Sequence, residues 1–301
     1  MLDTNQKNSP QPWLLSAPKP VELLQAKQQA EVLSFLSTCP QHTFVMSGWI
    51  RDNGLVSQLN RGTFYGHRNI QGELDGVALI GHVTLFETDC EEALIAFARL
   101  AQNSSETHVV MGEADKVSQF LNFYKRDGQE PRLMYREQLL EQRSQLAIDE
   151  AVPGLRLANQ DDLELVAPVH AQMAFEESGV DPLLVDPEGF YRRCARRIEQ
   201  KRVWVIVENN DLTFKADIIS DSLEVIYLEG VYVNPAKRGS GMGPRCMKQL
   251  SNELLARTES ICLLVNEENS AAQACYEKAG YQLRDHYDTL YLGKSQRELL
   301  N

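Results

Sequence analysis

The residues best suited to chemistry in this sequence form a glycine-rich segment behind an apolar run. The segment, residues 238–243, reads RGSGMG, and a helical pattern that begins at Pro244 follows it. Glycines let backbone N–H groups turn toward an anion, and the N-terminus of a helix adds a favourable partial charge. The order of strand, glycine-rich loop and helix therefore predicts a phosphate-binding site, although three glycines alone would also fit a tight turn.

Two common phosphate motifs are excluded by the residues around this loop. A P-loop ends in Gly-Lys-Ser/Thr, whereas residues 241–244 read GMGP, so no lysine is available for a terminal phosphate. A dinucleotide site needs its first glycine tight against the strand and an acidic residue about twenty residues later. Here residues 234–237 intervene, and the next predicted strand, 261–265, carries no terminal acid.

The apolar run before the loop, residues 225–233, contains a single charged residue, Glu229. A buried carboxylate is costly unless it is paired or protonated, and burial raises its pKa. Such a group suits a general base that takes a proton from an amine, directly or through a water. A structural hydrogen bond or an edge-exposed side chain explains Glu229 equally well. Gly230 beside it predicts a β-bulge that splays neighbouring strands.

Two segments of the sequence resemble motifs of the GNAT acyltransferases. Residues 233–243 match the pattern V-x-P-x-x-R-G-x-G-x-G, and residues 269–281, NSAAQACYEKAGY, match N-x-x-A-x-x-x-Y-E-K-x-G-[FY]. The whole chain resembles bacterial GNATs that have an N-terminal domain of unassigned role. The resemblance implies an N-acetyltransferase that moves an acetyl (acyl) group from coenzyme A (CoA) to an amine by direct attack in a ternary complex.

The resemblance also implies where CoA binds. The pantetheine arm would bond to the backbone of the strand before the loop, and the loop would hold the pyrophosphate through backbone N–H groups. The residues implied are Val231, Tyr232, Val233, Arg238, Gly239, Ser240, Gly241, Met242, Gly243 and Asn269. Asn269 also fits a helix N-cap. Acetyl-CoA is the expected co-substrate, and no metal is expected.

Catalytic roles for two residues follow from the same resemblance and from the strand. Tyr276 would be the general acid that protonates the leaving thiolate, although it also lies on the apolar stripe of its helix and fits a core tyrosine. Some relatives place a catalytic glutamate on the strand at 261–265, where this chain has Leu264. The general base is therefore Glu229, with Glu224 or a water as the alternatives.

The first half of the sequence repeats the order strand, strand, helix, strand, helix, strand that is predicted after residue 200. Its predicted elements are a helix at 21–37, strand-like or turn segments at 43–50 and 60–66, strands at 63–68 and 76–86, a helix at 90–102, a strand at 107–111, a helix at 117–124, a strand at 132–136 and a connector at 137–148. The expected fold is α+β, with two GNAT-like domains at 1–150 and 151–301. Each would have a mixed, mostly antiparallel sheet flanked by helices.

The N-terminal domain is expected to be degenerate. Glu87, Asp89, Glu91 and Glu92 stand where a phosphate loop would lie, and like charges would repel a pyrophosphate there. One CoA per chain is therefore expected. His67, His82 and His108 lie in or beside predicted strands without a spacing typical of zinc ligands, so hydrogen-bonded strand histidines are expected.

Composition narrows the class of protein and its partners. The chain has 301 residues, of which 43% are apolar and 24% charged, as in an ordinary soluble protein. Its 30 basic and 42 acidic residues give a net charge of −12, which argues against nucleic acid or an anionic membrane as the main partner. The balance is compatible with a small-molecule or peptide amine as acceptor. A homodimer is possible.

Location and the rival interpretation complete the expectations. Six cysteines without CxxC spacing are expected to be free thiols, and no run approaches the roughly 18 apolar residues of a membrane span. With no signal-like N-terminus, a cytoplasmic protein is expected. The alternative function is an idle acyl-CoA-binding module whose first half docks a partner, and turnover would separate the two. The sequence leaves open the acceptor, the acyl chain and the role of the first half.

Overall fold

One sheet of twelve strands runs through the described part of the chain, which is residues 21–124, 131–148 and 150–292 of a computed structural model. The strands are β1 (Glu22–Leu23), β2 (Gly62–Arg68), β3 (Leu74–Gly81), β4 (Val83–Thr88), β5 (Val109–Glu113), β6 (Leu133–Gln142), β7 (Arg156–Leu157), β8 (Val203–Glu208), β9 (Asp211–Asp221), β10 (Ile226–Val233), β11 (Ile261–Asn266) and β12 (Gln282–Tyr291). The helices are α1 (Gln29–Leu36), α2 (Pro40–Asn53), α3 (Glu91–Gln102), α4 (Ala114–Tyr124), α5 (Leu163–Ser178), α6 (Pro182–Val185), α7 (Pro187–Glu199), α8 (Met242–Leu255) and α9 (Ser270–Lys278).

The two halves of the chain repeat one arrangement of these elements. Helices, α1 and α2 in the first half and α5 to α7 in the second, lead into three antiparallel strands, and then helix, strand, helix and strand follow in both halves. Each half contains one parallel pair, β4 with β5 and β10 with β11, while the other described pairings are antiparallel. The expected α+β fold, with a mixed and mostly antiparallel sheet in two similar halves, is confirmed.

The halves exchange strands at the centre of the sheet. The strand order is β1-β2-β3-β4-β5-β12-β6-β11-β10-β9-β8-β7. Thus β6 of the first half lies between β11 and β12 of the second, and β12 lies between β5 and β6. Leu139 of β6 pairs with Leu264 of β11 on one side and Asp285 of β12 on the other. The division of the chain into domains at residue 150 stays a prediction.

Helices cover both faces of the sheet. Successive side chains of a strand point to opposite faces. In β10, Ile226 and Leu228 pack with α8, whereas Tyr227 points to the other face and stacks on Phe44 of α2, with 4.2 Å between ring centroids. Glu229 therefore belongs to the face that carries α2 and α5.

Two predicted segments of the first half are wrong. Residues 43–50, expected as a strand-like or turn segment, lie inside α2, because Pro40 occupies the first turn and Phe44, Val45 and Ile50 are buried by the sheet. Residues 137–148, expected as a connector, contain most of β6. The polar residues of this segment led to the wrong prediction, because they suggested exposure. Glu141 is in fact buried in β6, where two arginines pair with it.

Other expectations hold with smaller changes. The strand predicted at 76–86 divides into β3 and β4 at Gly81 and His82, and the helix predicted at 21–37 begins at Gln29. All six cysteines are free. None of the helices in the described part of the chain combines the length and apolar composition that crossing a bilayer requires. Residues 1–20, which bear on the expected cytoplasmic location, lie outside the described residues.

Candidate active site

The parallel strands β10 and β11 part beside Glu229. Their pairing covers only residues 226–228 of β10 with 261–263 of β11, although both strands continue. On the other side, the register with β9 shifts between Glu229 and Tyr232, and Gly230 has a φ of 59°. This is the bulge that Gly230 predicted. A cleft opens between the C-terminal parts of β10 and β11.

The glycine-rich loop follows at the end of β10 and leads into α8. Gly239 and Gly241 have φ angles of 76° and 79°, which side chains other than glycine rarely adopt, and a Cβ on either would meet no atom within 4 Å. The loop therefore presents open backbone to the solvent. The first N–H groups of α8 lack partners within the helix, as at any helix N-terminus. The anion site that the sequence predicts at this loop stays a prediction.

Side chains hold the loop in this shape. The Arg238 Nε donates to the Val233 carbonyl over 3.0 Å, and the Ser240 hydroxyl donates to the Lys237 carbonyl over 2.6 Å. At Gly243, a Cβ would lie 3.0 Å from the Cys275 Sγ, so glycine allows α8 to approach α9 closely. The arginine side chain thus braces the loop, and the backbone is left to meet a ligand.

Glu229 lines the cleft and has an unusual protonation equilibrium. Its side chain reaches solvent, yet protein surrounds the carboxylate on its other sides. This burial, together with the charge of Glu177, raises the pKa of Glu229 to about 7, while Arg197 opposes the shift. The Tyr227 hydroxyl donates to its Oε1 over 3.2 Å. A carboxylate with this pKa exchanges a proton near neutral pH.

Two further carboxylates, which the sequence analysis missed, approach Glu229. Burial raises the pKa of Glu137 on β6 to about 7, and the charges of Glu177 and Glu229 add to the shift. The Thr289 hydroxyl donates to Glu137 over 2.5 Å, and the Tyr291 hydroxyl donates to Glu177 over 2.8 Å. Burial also raises the pKa of Glu177, at the end of α5. Residue 137 fell in the supposed connector, so no sequence signal placed it here.

The other candidate residues occupy different places. Tyr276 packs in the apolar cluster under α8, is 7% exposed, and lies edge-on to Tyr281 with 5.9 Å between ring centroids. Burial raises the pKa of Tyr276, so its hydroxyl stays protonated. Asn269 caps α9, accepting from the Ala272 N–H over 3.0 Å, which confirms the predicted N-cap.

Glu224 lies away from the cleft. It lies in a bend before β10 begins at Ile226, and four residues separate it from Glu229. Its carboxylate pairs with Arg51 over 3.2 Å. Hydrogen bonding from Ser222 and the charge of Arg51 lower the pKa of Glu224, which weakens it as a base.

In the first half β4 and β5 also part, beyond Thr84 and Val110, but little space is left between them. The register of β4 with β3 is unbroken from Leu85 to Thr88, without a bulge. The cavity between β4, β5 and α2 measures about 10 Å³, the size of one water. Glu87 is buried there and accepts from the Lys116 ammonium over 2.6 Å. His67, one of the strand histidines, bonds to Asp75 over 2.6 Å.

Comparisons with known proteins fit this architecture. Residues 216–290 match the family model described as FR47-like protein. No curated protein matches the sequence. A tandem GNAT protein from the clavulanic acid biosynthesis pathway is 11% identical with a TM-score of 0.57, over 92% of this chain and 99% of its own. A GCN5-related N-acetyltransferase from Sphaerobacter thermophilus is 12% identical with a TM-score of 0.57, over 90% and 94%.

A Drosophila protein is structurally similar as well. It is 14% identical with a TM-score of 0.65, and the alignment covers 91% of this chain and 98% of that one. Likenesses at such low identity concern the fold. They show that this chain shares the fold of these proteins, one of which is described as a tandem GNAT protein.

Proposed function

We propose that this chain is an N-acetyltransferase that moves an acetyl group from acetyl-CoA to an amine by direct attack in a ternary complex. One observation carries the proposal. Glu229, with its pKa near neutrality, lies where β10 and β11 part, and an open glycine-rich loop at a helix N-terminus follows on the same strand. These are a base, a slot for an extended ligand and an anion site, in the order that an acyl-CoA presents its groups.

Acetyl-CoA would bind along β10 with its phosphates at the loop. Residues 231–233 continue past the point at which β11 leaves the ladder, so their backbone can bond to the amides of the pantetheine arm. The backbone of residues 238–243 would then hold the pyrophosphate, aided by the partial charge of α8. Asn269, at the N-terminus of α9, would lie near the same end of the cleft.

The proposed chemistry follows from the protonation states of Glu229 and Tyr276. At neutral pH a fraction of Glu229 is ionised and accepts a proton from the acceptor ammonium, directly or through a water. The free amine attacks the thioester carbonyl and forms a C–N bond. The C–S bond then breaks as the nitrogen releases its second proton to a water, and Tyr276, which is protonated because burial raises its pKa, gives a proton to the leaving thiolate and regains one from that water. The products are the acetylated amine and free CoA.

The acceptor would be a cationic amine. The charge of Glu177 raises the pKa of both Glu137 and Glu229, and the charge of Glu229 adds to the shift at Glu137, so the three carboxylates lie near one another. One oxygen of each accepts from a hydroxyl of Thr289, Tyr291 or Tyr227. A cation entering this region would stabilise the ionised carboxylates and gain electrostatic energy itself. Small-molecule amines and peptide amines both meet this requirement.

Turnover tests the proposal directly. The purified chain would be incubated with acetyl-CoA and a panel of diamines, amino acids, amino sugars and peptides, and free thiol and acetylated product would be measured. Release of thiol that depends on an amine supports the enzyme. Acetyl-CoA binding without acetylation of any amine would favour the idle binding module instead.

A further inference from the structure

Lys215 of β9 is fully buried beneath the bulge, with 0% of its side chain exposed. Its ammonium donates to the Gly230 carbonyl over 3.1 Å. A buried ammonium is costly unless it is paired, so its presence at this place requires a cause. The Asp217 Oδ2, 2.7 Å away, supplies the opposite charge.

Asp217 contacts two cations and a histidine and fixes their positions. Besides Lys215, it pairs with Arg197 of α7 over 3.0 Å and with His170 of α5 over 3.2 Å. Burial alone would raise the pKa of Asp217, but Lys215 and its other partners outweigh burial and hold it well below its usual range. The ionised Asp217 thus anchors Lys215 and ties both helices to the strand.

Gly230, the glycine of the bulge, lies close to Lys215 and Asp217. A Cβ at Gly230 would lie 2.9 Å from the Lys215 Nζ and 3.2 Å from the Asp217 Oδ2, so another residue would displace the ammonium. Its φ of 59° also favours glycine. The close approach of Lys215 and the turned backbone belong to one arrangement.

The hydrogen bond from Lys215 sets the direction of the next N–H group. The peptide between Gly230 and Val231 is planar and trans, so its C=O and N–H point in opposite directions. Its carbonyl is held toward Lys215, which lies on β9. The Val231 N–H therefore points away from the Lys215 ammonium, and neither Gly230 nor Val231 has a ladder partner on β9 or on β11.

We propose that Lys215 is a positioning residue that aims the Val231 N–H at the thioester oxygen, held in place by Asp217. This role rests on the proposed acetyl transfer. Negative charge develops on that oxygen as the amine attacks, and a pre-aimed N–H in a partly dry cleft stabilises it. The buried ion pair of Lys215 and Asp217 thus fixes the orientation of the peptide plane between Gly230 and Val231.

Kinetics of two matched variants test the role. Lys215→Met removes the ammonium and keeps a long side chain. We expect its kcat to fall about 10-fold or more, with the KM for acetyl-CoA changed less than about 3-fold, because the interaction strengthens in the transition state. Thr213→Val is the control, since it removes another buried hydrogen bond of β9, from Thr213 to the Ile206 carbonyl. Its kcat should stay near that of the wild type.

An infrared measurement reads the hydrogen bond without turnover. Acetyl-CoA labelled with ¹³C at the acetyl carbonyl should absorb at a lower frequency on the wild type than in water, and Lys215→Met should abolish this shift while Thr213→Val keeps it. Amide exchange at residues 229–232 should be faster in Lys215→Met. An unchanged carbonyl frequency together with unchanged kcat would overturn the positioning role and leave the acetyltransferase standing.

The two proposals fail in different ways. If the wild type shifts the carbonyl frequency but acetylates no amine, the proposed function falls and the action of Lys215 on the bound thioester stands. If the wild type binds no acetyl-CoA, both proposals fall. Equal amide exchange at residues 229–232 in all three proteins would count against Lys215 whether or not acetyl-CoA binds.

Discussion

Glu141 of β6 and Arg284 of β12 form an ion pair of 2.6 Å that joins the two halves of the chain at the centre of the sheet. Glu141 is 3% exposed, and Arg143 pairs with its other oxygen over 2.9 Å. The Glu141 carboxylate is buried and depends on these two arginines for its charge partners, although both arginines are partly exposed to solvent. The pair therefore marks the strand exchange as a structural requirement of both halves.

From this exchange we infer that the boundary near residue 150 separates two sequence repeats and not two folding units. Residues 151–301 alone would lack β6 and leave β11 and β12 with open edges that aggregate. We expect this fragment to be unfolded or insoluble, and co-expression with residues 1–150 to restore a soluble pair. Circular dichroism and size-exclusion chromatography check this. A monomeric, cooperatively folding C-terminal fragment would contradict it.

The glycine loop allows a charge test with a close control. Gly241→Asp places a carboxylate at the expected pyrophosphate site, where it competes for the N–H groups, so acetyl-CoA affinity should fall about 10-fold or more by calorimetry. Gly72→Asp is the control, because Gly72 also has a positive φ, 86°, and open space around its Cα. Both variants carry similar backbone strain, about 1 kcal/mol. Equal affinity in the two would remove the phosphate role of the loop.

The sequence predicts those parts of the site whose residues are neighbours along the chain, and it does not predict the parts that only the fold brings together. Glu229, Gly230 and the loop stand next to one another, so one strand pattern and one glycine pattern located them. Glu137 and Glu177 reach the same cleft from β6 and α5, and only the strand exchange brings β6 there. No local pattern encodes that contact.

Tertiary packing overrides the local preference of α2, and it gives Lys215 a role that the local sequence does not indicate. The β-branched and aromatic residues of α2, such as Val45 and Ile50, favour a strand by propensity, but the sheet surface buries them as one helical face. Lys215 reads as an ordinary charged position in β9. Its role depends on Asp217 and on the bulge of another strand, so the sequence alone gave no reason to single it out.

Glu229 should govern the pH dependence of both rate and stability. The rate should rise with pH through about 7 as its carboxylate ionises, and Glu229→Gln should lower the rate roughly 10²-fold and flatten this limb. Because the folded state raises the pKa, the contribution of Glu229 to stability is full at low pH and is lost as pH rises through about 7. The melting temperature of Glu229→Gln should thus exceed that of the wild type at pH 8.

The comparison across pH separates charge from shape in this variant. Near pH 4 the wild-type carboxyl is protonated and resembles an amide, so the two melting temperatures should converge. Tyr227→Phe serves as the control, since it removes the hydroxyl bonded to Glu229 and keeps the carboxylate. A pH–rate profile of Glu229→Gln that matches the wild type would assign the base to a water or to an amine that arrives neutral.

Binding stoichiometry should show that only the second half takes up CoA. In the first half, β4 has no bulge, the cavity beside it holds about 10 Å³, and the Glu87 carboxylate with its Lys116 partner occupies the surroundings. A pantetheine arm has no room there, and the carboxylates of the first half would repel the phosphates of CoA. Calorimetric titration of the whole chain should therefore saturate at one equivalent of acetyl-CoA. Gly241→Asp should weaken that single event, and any residual equivalent of unchanged affinity would place a second site in the first half.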